Sequence, residues 1–275
     1  MKENFIRQTC PDCGYKRDKK IECCPKCALD KSALFNSKNP VLNIDWLKCI
    51  LVCVVGYVCQ SLITMIVLAF VAIFKFENGL DALEVLKTDP YYTSLAFVIA
   101  TACAIIGILI VLRRYLLPLL ASLKHYKNLL FAIVAAVVIV GVNFLYEDVL
   151  FAGYANNENQ ATLMSQLKAS PVLFVLSTVI LAPLFEELVF RVAGFSFFSK
   201  INKPIAYIVT SVAFALIHLN FGATNITAEL ISVPSYIIMG VGLAFAYDKF
   251  GFWGSTLVHF LNNLAAAIFA IATLL

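Results

Sequence analysis

Three stretches in the second half of the chain put polar chemistry among apolar neighbours. Glu186 and Glu187 precede Arg191 within Pro171–Ser199, His218 follows Phe214 in a second apolar run, and His259 precedes Asn262 and Asn263 in a third. A carboxylate can take a proton from water, while a histidine and an asparagine can donate hydrogen bonds to a developing oxyanion. Glu187 and Arg191 are four residues apart and can pair along one helix. That pairing leaves Glu186, about 100° further round, to face a neighbour. His259 and Asn263 share the same spacing and point into one cleft. Asn262 reads as a bystander or a helix-packing hydrogen bonder. Alone, each feature has a plainer reading: a packing histidine or a structural ion pair. Together they make a plausible hydrolytic site.

A second cluster lies at the N-terminus. Cys10 and Cys13 form one C-x-x-C knuckle, and Cys24 and Cys27 form another. Two such turns can complete a tetrahedral zinc site. A segment this short cannot bury enough core to fold alone, and metal supplies the missing stability. The knuckles are closer together than in most four-cysteine sites, and Cys23 offers a substitute ligand. If this end is cytosolic and reduced, a disulfide framework is disfavoured. The segment resembles the small zinc ribbons attached to many bacterial membrane proteins, which act as adaptors for a protein partner. Cys49, Cys53, Cys59 and Cys103 read as small packing residues.

The elements that must position these groups follow from composition. The 275 residues are 61% hydrophobic and only 14% charged, against about half and a quarter in soluble domains. A bilayer supplies the missing solvent. Apolar runs that approach the length needed to cross about 30 Å of hydrocarbon fall at Cys49–Phe74, Tyr91–Leu112, Asn128–Tyr146, Pro171–Phe185, Pro204–Asn220, Leu230–Tyr247 and Phe250–Leu275. The expected fold is therefore an all-α polytopic membrane protein of about seven helices. Residues 1–30 form the ribbon, 31–45 a linker, and 46–275 the helical domain. The polar N-terminus predicts no cleavable signal peptide, so the first apolar run stays as an anchor.

Lysine and arginine placement sets the orientation. With the N-terminus in the cytoplasm, the alternating segments put eighteen of these residues on the cytoplasmic side and three, Lys75, Lys87 and Lys168, outside. The C-terminus then falls outside the cell. The formal net charge of +4 sits mostly against anionic headgroups and needs no nucleic-acid partner. Lys200, Lys203 and Lys249 mark the cytoplasmic surface. Counting from them at 1.5 Å per residue, Glu186, His218 and Asn263 lie at depths of ~21, ~22 and ~21 Å, with His259 at ~15 Å. Charge at the bilayer centre costs at least ~2.5–3.5 kcal/mol, so such residues face a cavity or one another.

At these residues the sequence resembles the CAAX proteases and bacteriocin-processing enzymes, the glutamate-type intramembrane proteases also called the Abi or CPBP family. The family's signature is Glu-Glu-x-x-x-Arg, Phe-x-x-x-His and His-x-x-x-Asn. Here it reads Glu186-Glu187…Arg191, Phe214…His218 and His259…Asn263, in that order. The segment from Gly251 to Ser255 is also similar, and the likeness covers about 171–270. It implies an active site in a membrane cavity, with Glu186 and His218 activating water. It further implies that His259 and Asn263 stabilise the oxyanion, and that Glu187 and Arg191 shape the site or position substrate. No catalytic cofactor is implied. The ribbon and small size look bacterial, which points to a membrane-associated peptide substrate such as a leader peptide or bacteriocin precursor, or to self-immunity.

Three other readings use the same residues. Glu186, His218 and His259 can form a three-ligand catalytic zinc site, although no His-Glu-x-x-His stretch is present. The core can be a membrane scaffold that binds a partner without cleaving it. Intramembrane acids also mark proton pathways in transporters, but no inverted repeat of broken helices is evident.

Overall fold

The computed structural model describes residues 7–9, 16–18, 41–75, 79–121, 126–151 and 157–274. Two three-residue strands, β1 (Arg7–Thr9) and β2 (Lys16–Asp18), pair antiparallel with Thr9 opposite Lys16. They stand on either side, in sequence, of the first cysteine knuckle. Cys10, Cys13, Cys24 and Cys27 all lie outside the described residues.

Everything else described is helical or connects helices. The helices are α1 (Trp46–Lys75), α2 (Gly79–Thr88), α3 (Pro90–Val111), α4 (Leu116–Ala121), α5 (Tyr126–Phe144), α6 (Glu158–Ala169), α7 (Pro171–Phe198) and α8 (Lys203–Leu216). A final run, Ile226–Leu274, is two helices joined at Gly251, whose φ of 74° and ψ of −167° are not helical. We call them α9 (226–250) and α10 (252–274). That backbone conformation is open essentially to glycine alone.

Four runs, α1, α3, α7 and the joined α9–α10, are long and apolar enough to cross a membrane, and α5 and α8 contain shorter apolar helices. Their outer faces carry large apolar side chains, among them Phe70, Ile73, Phe74, Val137, Ile208 and Phe245, all exposed. Water would penalise such a surface heavily, whereas lipid does not. The chain is an all-α membrane protein.

Local chemistry starts the helices. Asp89 accepts hydrogen bonds from the Tyr91 and Tyr92 amides (2.9 and 3.3 Å), with Pro90 following at the first turn of α3. Ser170 accepts from Leu173 N (3.4 Å) ahead of Pro171 in α7. Both arrangements satisfy amides that have no partner within the helix. Small residues then let helices pack closely in the absence of a hydrophobic drive between them. Ala96, Ala100 and Ala104 form a buried seam on α3. A Cβ on Gly240 of α9 would stand 2.9 Å from the Ser211 Cα of α8.

Ion pairs and hydrogen bonds gather at two opposite ends of the bundle. At one end Tyr115 reaches Asp45, Lys200 reaches the Ile44 carbonyl, and Lys203 and Lys249 share Asp248. At the other, Lys75 meets the Tyr92 hydroxyl, while Glu158 and Glu229 bind the turn after α8. Two of the three lysines chosen as depth markers thus share one carboxylate. One expectation needs correction. The run Pro204–Asn220 is not helical throughout: α8 ends at Leu216, and His218 sits on the turn beyond it.

Candidate active site

α7 supplies the two carboxylates, and its backbone is unusual. Pro183 has no N–H to donate, and its ring crowds the carbonyl one turn back, so a regular ladder cannot pass through it. The helix accommodates it by widening into π turns on either side, at Val175–Leu181 and Glu187–Phe195. Such widened turns recur at functional sites. Here the second one begins at Glu187.

The Glu187 and Arg191 side chains are both fully buried, with the guanidinium Nε 3.5 Å from Glu187 Oε2. Arg191 also donates from Nη2 to the Gly240 carbonyl of α9 (3.1 Å) and lies over the Phe214 ring, 4.8 Å from its centroid. The other Glu187 oxygen, Oε1, lies 3.0 Å from His259 Nδ1 on α10. A carboxylate accepts, so Nδ1 carries the proton there. The far nitrogen, Nε2, then stands 3.7 Å from Glu186 Oε2. His259 is therefore held between two adjacent carboxylates, one hydrogen-bonded and one across a short gap. From the sequence, Glu187 was expected to pair with Arg191. In the structure it serves Arg191 and His259 together.

His218 closes its own helix. Its Nδ1 lies 2.7 Å from the Phe214 carbonyl, one of the orphan acceptors at the end of α8. A carbonyl only accepts, so Nδ1 donates and the neutral ring keeps its lone pair on Nε2. The ring stacks on Tyr236 of α9 (4.6 Å, 21°) and packs on Phe214 (4.7 Å), whose ring also meets His259 edge-on at 5.8 Å. Phe214 thus touches both imidazoles, and no direct contact joins Glu186 to His218 among those described. Asn263 donates from Nδ2 to the Thr178 carbonyl of α7 (2.9 Å) and accepts from Asn262 (3.3 Å), which also contacts Met239.

Two groups were not singled out as site residues from the sequence. Tyr57 of α1 packs edge-on against Phe185 and Phe190, which flank the acidic pair on α7. Among the described residues its hydroxyl is buried without a hydrogen-bond partner, as are Glu186 Oε2, Glu187 Oε2, Arg191 Nε and Arg191 Nη1. Buried polar groups are nearly always satisfied, and here several unsatisfied atoms come from α1 and α7. Nothing in the apolar run around Tyr57 distinguishes it, except that it is the first tyrosine in a lipid-length segment.

The second missed group is the clamp on the His218 turn. Glu229, buried on α9, accepts from the Asn220 amide (3.0 Å) and the Glu158 amide (2.8 Å). Asn157 and Asn159 donate to the Tyr236 hydroxyl (3.2 and 2.9 Å). The polar start of α6 therefore fixes the platform on which His218 stacks. The signal was Glu229 standing immediately ahead of the apolar run Leu230–Tyr247.

Residues 168–265, which carry both acids, both histidines and Asn263, match the family model of type II CAAX prenyl endopeptidase Rce1-like proteins. Two relatives are similar to part of the chain. An uncharacterized protein of Mycoplasma capricolum subsp. capricolum is 33% identical over 127 residues, covering 43% of this chain and 35% of its own length. A Bacillus subtilis protein named "Putative membrane peptidase YdiL" is 26% identical over 114 residues, covering 41% of this chain and 43% of its own. The chain thus spans less than half the length of either relative. No solved structure matches it significantly. The Rce1-like segment takes in α7 to most of α10, the four helices that hold the cluster, and leaves Tyr57 outside.

Proposed function

We propose that this chain is an intramembrane endopeptidase of the CAAX protease and bacteriocin-processing type. It would hydrolyse a peptide bond in a membrane-associated peptide or protein, and the finer expectation of a leader peptide or bacteriocin precursor belongs to the same proposal. The observation that carries it is the Glu187–His259–Glu186 chain, with polar atoms on both glutamates and on Arg191 that make no hydrogen bond among the described residues. Glu186 is the general base that takes a proton from the attacking water, and the lone pair on His218 Nε2 is the second acceptor. His259 is oriented through Nδ1 by Glu187, as a carboxylate orients a catalytic imidazole. Charged, it donates from Nε2 to the oxyanion, and Asn263 donates its second N–H. Glu186 then returns its proton to the leaving amine. Arg191 holds Glu187 in place.

A catalytic zinc at Glu186, His218 and His259 finds less support. Glu186 and His259 present one oxygen and one nitrogen to each other, but no group of three His, Cys, Asp or Glu among the described residues is placed to hold a metal ion. The N-terminal cysteines, Cys10, Cys13, Cys24 and Cys27, would hold a structural zinc in a docking module for a protein partner. Metal analysis of the purified chain should give one zinc per molecule, and none after Cys10→Ser with Cys13→Ser.

The test of the activity is a comparison of cellular peptides between wild type and a Glu186→Gln strain that expresses equal protein. Precursors should accumulate in the mutant and be cut by the purified wild-type protein in lipid discs. If Glu186→Gln and His218→Ala both leave the peptide pool and the cellular phenotype unchanged, a non-cleaving scaffold or self-immunity role replaces this reading.

A further inference from the structure

A groove of about 410 Å³ runs between α5 and the α8–α9 pair, away from the catalytic cluster. Phe131, Val134 and Val138 form one wall, at the i, i+3, i+7 spacing of a single helix face, and Val241, Phe245 and Tyr207 form the other. Along α5 this wall extends about 10 Å. Its side chains are apolar except at one place, the Tyr207 hydroxyl. That hydroxyl points the groove toward a set of charges. It lies 3.4 Å from Asp248 Oδ2, and the same carboxylate binds Lys203 Nζ at 2.7 Å and Lys249 Nζ at 3.5 Å. Lys249 also stands over the Phe245 ring, 5.9 Å from its centroid.

The charge balance at this mouth is uneven. Asp248 is buried and carries one negative charge against two lysines, whose side chains are each about half exposed (51% and 52%). One positive charge is left over where the groove meets the end of the bundle. An apolar slot at membrane depth, an aromatic rim and a net cationic mouth together fit one kind of molecule: an amphiphile with a hydrocarbon tail and an anionic head. The bilayer around the chain is full of them. Basic sites at the ends of membrane helices recognise anionic headgroups in this way.

We infer that the groove is a binding site for an anionic phospholipid, with an acyl chain laid between α5 and α9 and the phosphate at Lys203 and Lys249. The site is separate from the proposed peptidase centre and stands whether or not that reading does. The lipid would tie α5, which lies before the Rce1-like segment, to the helices that carry the catalytic residues.

The experiment is native mass spectrometry of the full chain released from discs that contain equal amounts of phosphatidylglycerol and phosphatidylcholine. Wild type should retain phosphatidylglycerol in preference. Lys249→Gln should weaken that retention roughly fivefold, the worth of one basic residue near a membrane surface. Val138→Trp should remove bound lipid altogether. Val138 is 57% exposed, so the larger ring fills the groove without entering the core, and Val241→Phe on the opposite wall repeats the test independently. Equal retention of both lipids in wild type would overturn the anionic head. Retention unaffected by both groove-filling variants would overturn the location. A dimer mass that vanishes in Val138→Trp, with no lipid bound, would show the groove to be a contact between two copies.

Discussion

Two ionic clusters in this protein use the same kinds of residue under opposite conditions. Glu187 and Arg191 are fully buried and separated by 3.5 Å, with hydrogen-bonding capacity left unused on both. Lys203, Asp248 and Lys249 sit at the end of the bundle, where the lysines are half exposed and the shortest contact is 2.7 Å. The exposed cluster has the better geometry, and the buried one has far more at stake. Solvent replaces what a surface pair loses, so such pairs are worth little. Nothing replaces a partner lost from a buried one. The proposed active site thus rests on the costlier arrangement, left incompletely satisfied, whereas the Lys203–Asp248–Lys249 triad ties a buried carboxylate to two half-exposed lysines.

The largest test of that contrast is Arg191→Met. It leaves Glu187 charged in an apolar interior without its balancing cation, and should cost on the order of 3–5 kcal/mol. The protein should fail to accumulate, or unfold far below wild type in a detergent melting experiment. Replacing Arg191 and Glu187 together, by Met and Gln, should recover much of the loss, since the uncompensated charge is gone. No recovery would mean that the pair matters through shape rather than charge.

Glu186→Gln sharpens the comparison from the chemical side. The side chain keeps its volume and loses its ability to take a proton. Activity should fall by roughly 10²-fold or more, the usual contribution of a general base, while the melting temperature stays near that of wild type. His259→Ala should lose both, because it also removes the hydrogen bond to Glu187 Oε1. A Glu186→Gln enzyme with near-normal turnover would move the base elsewhere in the cluster.

Much of this was legible in the sequence. Charges in apolar runs named Glu186, Glu187, Arg191, His218 and His259, because burying them without purpose is expensive and composition exposes the expense. Asp248 and Lys249 announced the break between the last two helices, and Gly251 supplies the backbone for it. Other features were hidden because they depend on several bodies at once. That His259 serves both carboxylates follows from the widened turn after Pro183, and no helical wheel drawn at 3.6 residues per turn contains that turn. Tyr57 comes from a helix far away in sequence and looks like any aromatic in a lipid-facing run. The end of α8 at Leu216 is set by the His218 side chain, which takes a backbone carbonyl that another turn of helix would have used.

Backbone effects come next in size. Gly251→Ala forces a side chain into a left-handed, extended conformation and should cost about 1–3 kcal/mol. It acts at the joint between α9 and α10, so it should also disturb the relation of His259 to the α9 groups that hold Arg191 and His218. Gly240→Ala drives a methyl to 2.9 Å from the Ser211 Cα and should cost about 1–3 kcal/mol by overpacking. Melting curves of the two variants check both figures, and activity at a temperature where each remains folded separates them. Gly251→Ala should lose turnover beyond its loss of stability, because the joint positions the histidine.

The smallest effects bear most directly on what the orphaned atoms are for. Lys203→Met removes a half-exposed partner from Asp248, which keeps Lys249, and should shift stability by no more than about 1 kcal/mol. Tyr57→Phe deletes a buried hydroxyl that has no hydrogen-bond partner. On packing grounds alone the change should be neutral or slightly stabilising, because an unsatisfied polar atom is replaced by hydrogen. If the hydroxyl instead meets the attacking water or the substrate carbonyl, removing it should lower turnover by about tenfold, the worth of a single hydrogen bond to charge in the transition state. The two measurements therefore move in opposite directions only if the hydroxyl is kept for a molecule that arrives from outside. A Tyr57→Phe protein that melts higher and turns over as fast as wild type would make the orphan a packing accident, and would confine the working site to α7, α10 and the turn after α8.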